Sequence, residues 1–271
     1  MKCFLTQRHF PSARPRFCGL LRTITLGSLL GAASCSTFEA DVKPVPKALL
    51  APKRIVVPKL AGPLQMDGNL TEPAWSKAAV IPAFALNDGS GRERERTEVR
   101  LWYDDAALYI GWTCKDSDIQ ATFTARDSKF WEEEVVEFFV TPKELGRYFE
   151  LQWNPLGGVF DAIITNEVDE RGVSKKFDGD WSFTAKGMKS AVKVKGTVAN
   201  SNDKDDFWQV EVMVPFSDLS LPTPKQGETW RANFYRFNRT KGQKEELLSW
   251  SPTQLPGFHQ PTRFGFLEFG K

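Results

Sequence analysis

From residue 53 onward, apolar residues recur at every second position in short runs, and Gly, Pro, Asn and Asp punctuate the gaps between them. Such alternation marks strands with one buried face, and no stretch holds the 3.6-residue repeat of an amphipathic helix beyond two turns. In "TEVRLWYDDAALYIGWTCKD", Val99, Leu101 and Tyr103 share a face, the chain turns near Asp104 and Asp105, and Leu108, Ile110, Trp112 and Cys114 return in alignment. This predicts a hairpin. In "YFELQWNPLGG", Phe149, Leu151 and Trp153 point one way while Tyr148, Glu150, Gln152 and Asn154 point the other, and "NPLGG" turns the chain into "VFDAIIT". "FWQVEVMVPFSDL" aligns Trp208, Val210, Val212 and Val214 before Pro215 ends the strand, and "ETWRANFYRFNR" follows the turn at Gly227. Many short antiparallel strands without a repeating unit predict an all-β protein, an antiparallel β-sandwich of the jelly-roll kind.

One run breaks the alternation rule in an informative way. In "DSKFWEEEVVEFFVTP", Val136, Phe138 and Val140 take one face, so Glu137 falls between Val135 and Phe139 on a second, partly apolar face. A carboxylate in such a place needs something to satisfy it. The preceding Glu132, Glu133 and Glu134 read as the solvated entry to the strand, and "GSGRERERTE" (89–98) reads as a solvated loop.

Composition sets the outer bounds. A chain of 271 residues with 41% hydrophobic content can bury a substantial core, and we read residues 53–271 as one domain. Residues 1–34 carry five basic residues, no acidic one, and an apolar stretch "ITLGSLLGAAS" too short to span a bilayer, as in a secretory signal. Cys35 follows the small residues Ala32, Ala33 and Ser34, which resembles the lipobox of bacterial lipoproteins, with Ala32 in place of the usual leucine. The expectation is an exported cell-envelope lipoprotein, facing the periplasm or the outside, with Cys35 lipidated and 36–52 as a tether. The membrane would be met through that lipid only.

Beyond residue 34 the chain holds 31 basic and 34 acidic residues, a formal charge of −3, so a nucleic-acid partner has no electrostatic motive. Cys114 is then the only cysteine besides Cys35, and stability must come from packing rather than a disulfide. His259 is the single histidine of that portion, and neither a nucleophile elbow, a zinc-ligand spacing nor a phosphate-binding glycine loop is present. Paired carboxylates remain, Glu137 with Glu150 or Asp161, and with them the alternative of a glycoside hydrolase acting on O-glycosyl compounds. "MDGNLTE" and "DSKFWEEE" supply residue types for a structural calcium, without the EF-hand pattern. Haem, which needs axial ligands, is poorly served.

The nine tryptophans carry more information. Trp131, Trp181 and Trp250 stand beside turns among charged or small polar residues, where an indole can cover the C–H face of a sugar while polar groups take its hydroxyls.

Several motifs in order carry a resemblance. "MDGNLTEPAW", "VRLWYDDAALYIGWTCKD", "FWEEEVVEFFVTP", "YFELQWNPLGGVFD" and "FWQVEVMVPFSDL...GETWRANFYR" resemble the successive signatures of family 9 carbohydrate-binding modules, over about residues 60–269. The resemblance implies a β-sandwich that clamps a sugar, often at a reducing end, between two tryptophans beside polar side chains, without catalysis of its own. It places Trp131 at the first clamp position and Glu137 at the polar position. Gln152 and Asn154 stand where the family has an arginine and an asparagine, Trp250 is the expected second indole, and Arg236 and Asn238 are further contacts. The implied partners are an oligosaccharide or polysaccharide and carbohydrate-degrading enzymes, in carbohydrate catabolism. A sandwich that binds another protein or a cofactor is the third reading.

Overall fold

The computed structural model describes residues 49–271; the expected signal, Cys35 and most of the expected tether lie outside the described residues. Within them are fourteen strands: β1 (Arg54–Val57), β2 (Ala79–Ile81), β3 (Ala85–Leu86), β4 (Thr97–Tyr103), β5 (Ala107–Lys115), β6 (Val135–Thr141) and β7 (Arg147–Trp153). The second half adds β8 (Val159–Val168), β9 (Ser174–Asp180), β10 (Lys189–Lys195), β11 (Phe207–Pro215), β12 (Thr229–Asn238), β13 (Glu246–Ser249) and β14 (Gly265–Phe269). One sheet runs β1-β14-β12-β6-β7-β8-β9, with β13 and β3 attached through β12, and the other runs β10-β11-β5-β4-β2. Among the paired strands every ladder is antiparallel except β1 with β14.

The expected hairpin forms, with Leu101 opposite Ile110 and Val99 opposite Trp112. Their shared face joins Trp208, Val210, Val212 and Val214 of β11 against Val136, Phe138, Val140, Leu151 and Trp153 of the larger sheet, so both inner faces interdigitate in one core. Each outer face is also partly covered. Residues 60–78 lay Leu60 and Trp75 over Trp102 and Tyr109 of the smaller sheet. On the larger sheet, Phe130 and Phe258 come from loops to pack on Val135, Phe139, Tyr148, Phe160 and Tyr235. Burying both faces of β6 leaves Glu137 at only 2% exposure.

Two charged stretches behave differently from the solvated segments their composition predicts. In 89–98 the arginines face water while Glu93 and Glu95 turn inward, Glu93 accepting the backbone N–H of Phe84 and Thr97 and Glu95 that of Ser117. Of the glutamate triplet only Glu132 is exposed. Glu133 accepts the N–H groups of Thr122 and Phe123, and Glu134, fully buried, accepts that of Arg239. These carboxylates act as loop ties, because buried backbone donors must be satisfied.

Candidate functional site

The outer face of the larger sheet, between its covering loops, encloses a cavity of about 540 Å³. Period-two alternation brings Glu137 of β6, Glu150 of β7, and Phe160 and Ile164 of β8 onto this face. Phe177 and Gly179 come from β9, Phe237 from β12 and Leu247 from β13. Trp131 arrives on a one-turn 3-10 helix, Phe130–Glu132, Trp181 just after β9, and Phe258 and His259 on the loop that follows β13.

The two indoles meet edge to face, with ring centres 5.7 Å apart and planes at 69°, and both lean edge-on against Phe160 at 5.5 Å. They form a corner rather than a parallel clamp. A ring inserted between two parallel indoles needs about 3.5–4.0 Å on each side, and no such gap separates these two. Gly179 permits the corner: a Cβ at that position would stand 2.6 Å from the Trp181 Nε1. Elsewhere on the wall, Phe177 stacks on the His259 ring at 3.7 Å and 15°.

The polar floor is short of hydrogen-bond donors. Glu150 receives the Gln152 amide at 2.6 Å, while no hydrogen bond reaches the Glu137 carboxylate among the described residues. Desolvation, then repulsion from Glu150, pushes the Glu137 carboxyl well above its usual range, with Arg239 opposing. Desolvation pushes Glu150 up to about 7, with the Gln152 hydrogen bond opposing. Burial pulls His259 down to about 3, so it is neutral. Asn166 Nδ2 donates to the Tyr148 hydroxyl at 3.2 Å, and that hydroxyl shares a hydrogen bond of 2.7 Å with His259 Nδ1. His259 Nε2 lies 3.9 Å from Glu150 Oε2.

This pair has a consequence for stability. The folded state holds protons that the unfolded chain releases above its ordinary carboxyl range, so the pair costs stability as pH rises from the ordinary carboxyl range through about 7, where Glu150 titrates. His259 works in the opposite sense, losing stability as pH falls below its ordinary 6.5 toward 3. Glu137→Gln should therefore raise stability near pH 8, and by much less near pH 5. Thermal melts at the two pH values check this; an equal gain at both would locate the penalty elsewhere.

The other sequence candidates go to different places. Gln152 is fully buried beside the site, its amide tied to Glu150 and its Oε1 without a donor. Asn154 closes the turn after β7, its Oδ1 accepting the N–H of Leu156 and Gly158 and its Nδ2 donating to the Phe123 carbonyl. Arg236 and Asn238 do share a face, as expected, but it is the inner one. Both are 0% exposed; Arg236 donates to Asp116, Asn238, Thr97 and the Lys115 carbonyl, and Asn238 to Glu95 and Glu246. Trp250 is a core residue, 5% exposed and edge-on to Phe234 at 5.8 Å, over the bare Cα of Gly265. Asp161 faces away from Glu137, with Leu151 opposite it, and binds Arg126 at 2.5 Å and the Ala185 N–H.

Of the tryptophans singled out in the sequence, Trp181, 48% exposed, stands beside Trp131 in the cavity, while Trp250, 5% exposed, lies in the core. The setting of Trp181 in "DGDWSF", among acidic and small polar residues at the end of a strand, is the sequence signal that marks it.

For calcium, "MDGNLTE" contributes Asp67 and Glu72 to a group with Glu211 whose carboxylate oxygens lie within 4.8 Å of one another. Glu211 already accepts the N–H groups of Asp67 and Gly68 and the Trp75 indole, so it serves first as a tie for the covering segment.

The model of carbohydrate-binding family 9 matches residues 90–269. Among solved structures, a Bacteroides uniformis protein aligns at TM-score 0.61 and 21% identity, over 81% of this chain and 100% of that one. A family 9 carbohydrate-binding module from Caldicellulosiruptor kristjanssonii aligns in its cellotriose complex at TM-score 0.55 and 16% identity, over 81% of this chain and 95% of that one. Its glucose complex gives 0.54 and 16%, over 81% and 97%. No curated protein matches the chain. Since the matched stretch runs from before β4 to the end of β14, it takes in most of the inner core, both carboxylates and both indoles of the cavity, and the chain belongs to carbohydrate-binding family 9.

Proposed function

We propose that the cavity over β6, β7 and β8 binds a saccharide, stacked on the indole corner and hydrogen-bonded to Glu137 and Glu150. The observation that carries this reading is the pairing of an aromatic corner, Trp131 with Trp181, and two buried carboxylates short of donors in one cavity. A sugar supplies both complements: C–H faces for the indoles and O–H donors for the carboxylates. Because the indoles touch, a single ring lies against one of them or fits the angle between them, rather than being sandwiched. The expected role is to hold a soluble glycan, or the end of a polysaccharide, for the enzymes that degrade it, on an exported chain anchored through Cys35.

Calorimetric titration with a panel of oligosaccharides tests this. At least one should bind and be recovered uncleaved, and Trp181→Ala should weaken it by about tenfold, the loss of one stacking face. Binding that is indifferent to both Trp131→Ala and Trp181→Ala would move the site elsewhere.

A further inference from the structure

We infer that the saccharide this site prefers carries a protonated amino group, as in an unacetylated amino sugar. The inference rests on the carbohydrate reading above and narrows it to a cationic class. Its basis is an imbalance of charge. Glu137 is 2% exposed and Glu150 5%, they lie diagonally across neighbouring strands of one face, and both line the cavity. Among the described residues no lysine or arginine lines it.

The surrounding groups do not supply the missing cation. Arg239, whose field reaches Glu137, has its guanidinium committed to the Glu133 carbonyl and to Glu245. Gln152 gives Glu150 a neutral amide. His259 is neutral, its Nδ1 hydrogen-bonded to the Tyr148 hydroxyl, and Tyr235 donates its hydroxyl to the Phe258 carbonyl instead.

Two buried carboxylates without a cation retain protons, whereas an ammonium lets them ionise and gives each a charged N–H donor. The walls favour the same ligand, because indole and phenyl faces attract a cation most strongly where water is excluded. A quaternary ammonium would find the aromatic faces but offer the carboxylates no N–H, so a primary ammonium fits both halves of the cavity. Binding should then expel a proton from the Glu137–Glu150 pair.

The test compares three trisaccharides of one length on the full-length protein by calorimetry at about pH 6, in two buffers of different ionisation enthalpy: the glucosamine trimer, its N-acetylated form, and cellotriose. The glucosamine trimer should bind about tenfold more tightly than either neutral trimer and release protons. Glu137→Gln and Glu150→Gln, each checked for folding by its thermal melt, should abolish that preference, so that the glucosamine trimer binds each variant no more tightly than the neutral trimers do, and with no proton release. Neutral trimers binding as tightly as the charged one would overturn the inference and leave the carbohydrate reading standing. A preference that survives both substitutions would overturn it too, assigning the effect to surface charge. If none of the three trimers nor any member of the wider panel binds, the carbohydrate reading itself falls, and the inference with it.

Discussion

Arg236→Ala should cost about 3–5 kcal/mol of unfolding free energy, the largest loss expected from any single charged side chain here. Arg236 is 0% exposed and bridges the two sheets near one end of the core. It donates from β12 to Asp116 at 2.8 Å, just past β5, and to the Lys115 carbonyl at 2.9 Å, with Glu134 at 3.9 Å. Removing the guanidinium strands Asp116 and Glu134 together, and Glu134 is already pushed well above its usual range by burial and by Asp116. Replacing a buried ion pair with a packed apolar group can be neutral, but deleting one partner leaves an uncompensated charge. Denaturant unfolding measures the effect. Were Arg236 a ligand contact, as the sequence suggests, its loss would lower saccharide affinity with little change in stability, so the two measurements separate the roles.

Trp250→Ala and Trp131→Ala should behave as mirror images. Trp250 fills the inner core against Phe234 and Gly265, so its truncation should cost about 3–5 kcal/mol of stability, while the protein that remains folded keeps its saccharide affinity. Trp131 is half-buried at the cavity and touches Phe160 and Trp181. Its truncation should weaken saccharide binding by about 2 kcal/mol, roughly thirtyfold, as for a central aromatic contact, with a smaller cost to the fold. Melts and titrations on the same two variants decide the matter. A Trp250→Ala protein with wild-type stability and no binding would reverse the assignment of the second indole.

Strand alternation made a large part of this architecture readable before any coordinates. The β4–β5 hairpin, the inward row of β11 and the placement of Glu137 opposite Val136 and Phe138 follow from period two alone, because a one-residue slip would turn every apolar side chain to water. The same rule put Arg236 and Asn238 on one face, as they are. It could not say which face, since a strand buried on both sides has no polar side to mark. Packing of β12 against the smaller sheet turned those two residues inward and left Tyr235 and Phe237 toward the cavity side.

The tryptophans show the same division from the other side. Local composition marked Trp131, Trp181 and Trp250 as unlike core residues, yet whether an indole meets solvent depends on what the rest of the chain lays over it. Gly265, fifteen residues away in sequence, makes room for Trp250 in the core, while Gly179 lets Trp181 settle beside Trp131, fifty residues before it. The amino-acid sequence by itself determined the strands, the sandwich class, the family and the anomaly of Glu137, because these rest on local periodicity and on motif order. Only the tertiary structure decided which carboxylates and indoles share a cavity, because that depends on which face each strand buries and which distant loop covers it.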